Sequence, residues 1–391
     1  MKFSTLKILV YIIFIGIGSL IYYENNFNDR ITHSQKERQV VFEKYSPDKT
    51  LILSHRGSRY LLPENTILAF QTAMDLGADV IETDVRLTSD GELVMFHDKL
   101  VDRTTNGSGV VESHTLQELR YLDAGYRFSP DNGTSYPYRS KGIKIPTIWE
   151  LFHKLSPDYQ INIEIKEDDV VVAEKLWKAI TEAMEGTGRK SRSLVIGCRF
   201  CAPTKRIREL AQQYANEKGL DRLPITTSGC EKEVTKFVIL SQLYLAKIYY
   251  RFKPIDSFEL LQIPTHSGAI RLDNEKVLSS AKHLGLHTHF WVINNVQEIN
   301  RVLDLNVEGI ISDRPERCIR IFKERGMKPQ SQIIPQPLPN NSTGTYFQPT
   351  FDIEENHTCI SLVCKLLQKS YHIAISLSLA FIVYRIFKKK Y

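Results

Sequence analysis

Two carboxylates on alternate positions of an apolar run, Glu82 and Asp84, are followed across a Ser89-Asp90-Gly91 turn by His97 and Asp98. Residues 80–87 have the β-branched composition and period of two of a strand, which puts both acids on one face. The turn is too short for a parallel crossover, so residues 92–96 return as the antiparallel half of a hairpin. That return sets His97 opposite Thr83, beside both acids. Groups of matching chemistry follow other apolar runs: His55-Arg56-Gly57, Glu164 with Lys166, Trp291 with Asn294, and Asp313. Glu82, Asp84 and Glu164 form an oxygen-rich set suited to one hard divalent cation, Mg²⁺ or Ca²⁺, rather than to zinc. His55 and His97 can divide the work of general base and general acid. Arg56 and Lys166 add positive charge for a phosphate oxygen. A metal, two imidazoles and two cations fit phosphodiester cleavage.

Such a constellation needs strand ends that converge. Apolar runs at 51–54, 80–85, 161–166, 193–197, 224–228, 268–272, 288–293 and 309–312 alternate with helix-like segments, and 93–96 forms the hairpin return. Eight parallel strands with helices between them predict an α/β fold of the TIM (β/α)8 type, whose active sites form at the C-terminal strand ends. A doubly wound sheet is disfavoured because no Gly-x-Gly-x-x-Gly loop follows the first strand. Residues 63–78 predict a helix capped by Asn65 and stopped by Gly77. Residues 146–155 predict one that starts at Pro146-Thr147. The barrel is expected over 50–323. An insertion at about 99–145 lies over its mouth, and an aromatic, basic segment at about 233–264 suits either a core-facing helix or a membrane interface.

The 391-residue chain carries a net charge of +6 and no Lys/Arg run in a nucleic-acid-reading motif, so no nucleic-acid partner is expected. Residues 1–24 read as an uncleaved signal anchor or transmembrane segment, and 25–49 as a linker. Residues 324–358, rich in Pro and Asn, form a second linker. Residues 359–391 read as a hydrophobic segment, either an interfacial helix or a short transmembrane span, with a basic tail. Positive charge outside both apolar segments places the middle of the chain in a lumen. The sequons at Asn106, Asn132, Asn340, Asn341 and Asn356 fit that placement, and the final Lys-Lys-Lys-Tyr resembles a dilysine retrieval signal. The expected location is therefore a membrane of the endoplasmic reticulum, with a lumenal catalytic domain. Six cysteines are too few for a disulfide scaffold in a chain this long, and Cys198-Arg-Phe-Cys201 reads as an incidental pair or one local disulfide.

The ordered set "HRGSRYLLPENTILAFQTAMDLGADVIETDVRLTSDGELVMFHD", "DRTTNGSGVV", "IPTIWELF", "NIEIK", "FWVIN" and "ISDRP" resembles the glycerophosphodiester phosphodiesterase family over roughly His55 to Pro315. The resemblance implies a TIM barrel with a small inserted region after the second histidine. It also implies that His55 and His97 are the acid–base pair and that Glu82, Asp84 and Glu164 bind one divalent metal. Arg56 and Lys166 would contact the phosphate, and Trp291 would wall the glycerol or lipid part. Val292-Ile293 and Ser312 depart from the family pattern without touching the metal or histidine positions.

For substrate, the resemblance implies a glycerophosphodiester or a lysophospholipid, with release of glycerol 3-phosphate or lysophosphatidic acid by a lysophospholipase D-like member. A phosphatidylglycerol-type phospholipase C that releases diacylglycerol is the alternative. A barrel that binds glycerophospholipids without hydrolysis is a third, and its signature would be the loss of a catalytic residue. No such residue is missing.

Overall fold

The computed structural model describes residues 18–19, 42, 49–255 and 257–327. The expected C-terminal hydrophobic segment at 359–391 lies outside these residues, as does the expected anchor at 1–24 apart from residues 18 and 19.

Eight strands run parallel around one axis. They are β1 (Leu51–Ser54), β2 (Val80–Leu87), β4 (Gln160–Ile165), β5 (Leu194–Cys198), β6 (Thr226–Thr227), β7 (Leu260–Pro264), β10 (His287–Trp291) and β11 (Gly309–Ser312). β3 (Leu93–Met95) pairs antiparallel with β2, with Val85 opposite Met95 and Leu87 opposite Leu93. The parallel order is β6-β5-β4-β2-β1-β11-β10-β7. One bridge between Ser228 and Leu260 joins the two ends, supported by the Gly229 amide donating to the Leu260 carbonyl at 3.0 Å. The result is a nearly closed (β/α)8 barrel. Its strands are apolar on both faces because helices cover the outside and side chains fill the inside. Leu51, Leu53, Val80, Val195, Leu260 and Ile311 form one interior cluster, with Phe42 among them.

The sixth barrel strand differs from the expectation. It is Leu260–Pro264, not 268–272, and it buries Leu260, Leu261 and Ile263 while Gln262 is only partly covered. Residues 266–271 belong to a separate small unit, where β8 (His266–Ser267) and β9 (Ile270–Arg271) make a two-stranded antiparallel hairpin. The preceding apolar stretch forms two helices, Glu231–Gln242 and Ala246–Phe252, which bury Phe237, Ala246 and Tyr250 in the core.

The helix Ile67–Leu76 is capped by Thr66, whose hydroxyl accepts from the Ala69 amide, and it stops at Gly77 with φ +102°. The cap is therefore one residue later than expected, which releases Asn65 for another contact. The helix Ile148–Lys154 begins in a capping box of Thr147 and Glu150 and buries Ile148, Leu151 and Phe152.

Among the described residues no helix is long and apolar enough to cross a membrane. The two longest, Val170–Gly186 and Cys201–Lys218, are amphipathic covers of the barrel and carry charge on their outer faces.

Of the two readings of Cys198-Arg-Phe-Cys201, the incidental pair is the one the structure shows. Cys201 is bonded to Cys230, 29 residues away in sequence, while Cys198 is free and buried. The bond ties the first residue of Cys201–Lys218 to the cap of Glu231–Gln242. Closing a loop of that length restricts the unfolded chain by about 3–4 kcal/mol. The Cys201→Ser/Cys230→Ser double variant should lose about that much unfolding free energy, read as a lower urea midpoint. An unchanged midpoint would show that the staple adds nothing.

Candidate active site

β1 ends at Ser54, and the chain turns sharply through a 3-10 turn, His55–Gly57. Arg56 and Gly57 both have left-handed backbone, at φ +50° and +73°. Gly57 is required for space as well as conformation, because a Cβ there would lie 2.7 Å from Phe70 Cδ1 and 2.9 Å from the Ala69 backbone. The turn aims the Arg56 amide at Glu82 Oε2, 2.8 Å away. It also lays the Arg56 guanidinium along the acids, with Nε 3.4 Å from Asp84 Oδ2 and one terminal nitrogen 2.9 Å from Glu64 Oε1.

The period of two in β2 puts Glu82 and Asp84 on one buried face, and the parallel register sets Asp84 beside Glu164 of β4. One carboxylate oxygen from each of Glu82, Asp84 and Glu164 lies within 4.8 Å of the others. Three converging hard oxygen donors fit Mg²⁺ or Ca²⁺ and do not suit a softer metal. Lys166 Nζ lies 3.0 Å from Asp84 Oδ1 and 2.9 Å from Glu164 Oε2. The Asn65 amide donates to Asp84 Oδ2 at 2.9 Å, and its carbonyl accepts from Thr83.

Burial alone would raise Asp84, but Lys166 and Arg56 outweigh it and hold this carboxyl well below the usual range. Burial pushes Glu82 up to about 7, against the opposing pull of His55. Two neighbouring acids thus differ because Asp84 has cations on both sides, whereas for Glu82 burial and the Asp84 carboxylate outweigh His55 and the Arg56 amide.

Each histidine is held through Nδ1 by a carboxylate. His55 Nδ1 lies 2.5 Å from Asp313 Oδ1. Asp313 is fixed in turn by Asn294, whose amide donates to Oδ2 at 2.8 Å and whose carbonyl accepts from the Asp313 amide at 2.9 Å. His97 Nδ1 lies 2.6 Å from Asp98 Oδ1. Both rings therefore keep Nε2 for other partners, and on His55 the Arg56 Nε approaches that atom at 3.2 Å. Burial lowers the His97 imidazole, while Asp84 and Asp98 pull the other way.

His55, Arg56, Glu82, Asp84, Glu164 and Lys166 are thus linked by direct contacts. His97 stands at the hairpin end that follows β3. Trp291 is the last residue of β10, 42 % exposed at the same end of the strands. Three residues not assigned to the site from sequence join the cluster: Glu64, Arg103 and Asn65, the last read only as a helix cap. The signal was there in "PENT" and "DRTT", but it shows a role only once residues far apart in the chain meet. The arrangement can bind an anionic phosphodiester, neutralise it, and move protons on both sides of phosphorus.

Residues 55–317 match the model of the glycerophosphoryl diester phosphodiesterase family. A glycerophosphodiester phosphodiesterase from Caldanaerobacter subterraneus subsp. tengcongensis is 32 % identical over 282 residues, covering 71 % of this chain and 100 % of that protein. One from Bacillus subtilis is 28 % identical over 287 residues, covering 71 % and 88 %. Among solved structures, an Oleispira antarctica phosphodiesterase in complex with the product sn-glycerol-3-phosphate superimposes with TM-score 0.53 at 21 % identity, covering 70 % of this chain and 96 % of that one. The expected location in the endoplasmic reticulum is withdrawn, because both relatives come from bacteria, which have no such compartment, and neither supports it.

Proposed function

Because the chain belongs to the glycerophosphoryl diester phosphodiesterase family, we propose that it hydrolyses a glycerophosphodiester to sn-glycerol 3-phosphate and an alcohol, using one divalent cation and a His55/His97 pair. The observation that carries this reading is the set of three converging carboxylates flanked by two imidazoles, each backed by its own acid.

Glu82, Asp84 and Glu164 would hold the cation, which when bound supplies Lewis-acid polarisation of a phosphoryl oxygen. Arg56 and Lys166 neutralise the diester, Arg56 as a planar fork and Lys166 as a point charge. Asp313 and Asp98 fix the orientation and tautomer of the two rings, so each presents Nε2 to the reaction. One imidazole takes the proton of the attacking hydroxyl, and the other gives a proton to the departing alkoxide. The attacking hydroxyl belongs either to water or to the substrate's own glycerol, in which case water then opens the cyclic phosphate to give sn-glycerol 3-phosphate. Trp291 supplies an apolar wall for the glycerol.

The test is product analysis by mass spectrometry on glycerophosphocholine, glycerophosphoethanolamine, lysophosphatidylcholine and phosphatidylglycerol, with Mg²⁺, Ca²⁺ or chelator, beside His55→Ala. Glycerol 3-phosphate from the first two, dependent on the cation and absent in the variant, is the expected result. Lysophosphatidic acid from the third would extend the reading to lysophospholipids. Diacylglycerol from the fourth would move the cut to the other side of phosphorus. No turnover of either glycerophosphodiester would overturn the proposal.

A further inference from the structure

Beyond β3 the chain leaves the barrel and makes a 3-10 turn, Val101–Arg103. This turn is tightly held. Val101 is fully buried, its amide donates to the Gly109 carbonyl at 3.0 Å, and the Asp102 carboxylate accepts from the Gly109 amide at 2.9 Å. Its last residue, Arg103, is thereby carried to the rim of the site and reaches two acids that come from different parts of the chain. Its two terminal nitrogens donate to both oxygens of Glu64, at 2.9 and 2.6 Å, and its Nε donates to Asp98 Oδ2.

What those two acids hold gives the contact its meaning. Asp98 uses its other oxygen on His97 Nδ1, and Glu64 shares Oε1 with the Arg56 guanidinium at 2.9 Å. Arg56 in turn lies against His55 Nε2 and Asp84. A continuous path therefore runs His97–Asp98–Arg103–Glu64–Arg56–His55. Arg103 is its middle link and reaches neither histidine directly. We infer that Arg103 is a positioning residue that keeps the two imidazole arms of the site in register, through Asp98 on one side and Glu64 on the other. The inference rests on the phosphodiesterase reading and adds to it a residue outside the acids, histidines and phosphate-binding cations.

The bland alternative is a surface ion pair, which contributes little when both partners are solvated. Here the partners are sheltered: the Glu64 side chain is 11 % exposed and that of Asp98 26 %, against 44 % for Arg103 itself. A planar guanidinium can meet Asp98 through Nε and Glu64 through its terminal nitrogens at fixed angles, which an ammonium cannot. Without it Asp98 is free to turn, and His97 loses the reference that sets its ring.

The test is steady-state kinetics on glycerophosphocholine with the saturating cation, together with thermal unfolding. The variants are Arg103→Ala, Arg103→Lys, Asp98→Asn/Glu64→Gln, the triple combination, and His97→Ala as reference. A ring displaced by about 1 Å loses on the order of 100-fold, so kcat of Arg103→Ala should fall by about that factor. Its KM should stay within about threefold, because Arg103 makes no contact that binds substrate in this reading. Arg103→Lys should recover part of kcat. Adding Arg103→Ala to the Asp98/Glu64 pair should cost less than about threefold more, because the links it serves are already cut. The inference fails if Arg103→Ala keeps wild-type kcat while His97→Ala is inactive. It also fails if the loss lies in KM, follows a drop in melting temperature, or multiplies in full on the double background. An active His97→Ala would instead bring down the phosphodiesterase assignment of the pair, which keeps the two failures distinct.

Discussion

Alanine in place of His97 is expected to lower kcat for glycerophosphodiester hydrolysis by about 10²–10⁴-fold, the usual contribution of one positioned acid–base group. Three observations set the expectation. The ring sits at the end of the hairpin that leaves β2, its Nδ1 is fixed by Asp98 at 2.6 Å, and burial favours its neutral form. The fold should not suffer, because the structural contact at this position is made by the main chain. The His97 carbonyl accepts from Arg86 Nε at 2.9 Å, and alanine keeps that carbonyl. Steady-state kinetics beside a melting curve separates the two effects. Activity within tenfold of wild type would assign the proton transfer to another group.

The second large effect concerns the cation. Asp84→Asn is expected to remove about 10³-fold of activity, since a carboxylate ligand is worth several kcal/mol to a transition state that depends on the metal. Chelation of the wild-type protein should produce a loss of similar size that is reversed by adding Mg²⁺ or Ca²⁺ back. Asparagine preserves the shape of the side chain, and Lys166 keeps Glu164 as a partner at 2.9 Å, so the barrel should still fold. Isothermal titration of the metal into both proteins reads binding without reference to catalysis. Equal affinity in the variant would mean that the three acids are not the ligand set.

How much of this was legible in the sequence depended on distance along the chain. The alternation of Glu82 and Asp84, the short turn after them and the return toward His97 are local, and strand period and turn length suffice to read them. Glu164 beside Asp84 follows from parallel register once a barrel is assumed. The contacts of Glu64 with Arg103, 39 residues apart, have no local signature, nor does the disulfide across 29 residues. The Cys-x-x-Cys pair is incidental, and tertiary placement gives Cys201 a farther partner. Asn65 looked like a helix cap because Asn is a good one. Thr66 takes the cap, and Asn65 turns left-handed to hold Asp84 instead. The sixth strand was misplaced because Leu260–Pro264 is a short run broken by Gln262 and ended by Pro264, whereas Ile270-Arg271-Leu272 alternates briefly on an exposed hairpin.

The barrel closes through a single bridge between Ser228 and Leu260, whereas Glu82, Asp84, Glu164, His55 and Asp313 all come from or follow β1, β2, β4 and β11. In the strand order these four are consecutive neighbours near the middle of the path, and the seam lies around the far side of the ring. The molecule is built like a cask with one loose stave, and the Cys201–Cys230 bond works as a hoop beside that stave. Opening of the ring is therefore expected first at this seam, away from the strands that carry the acids.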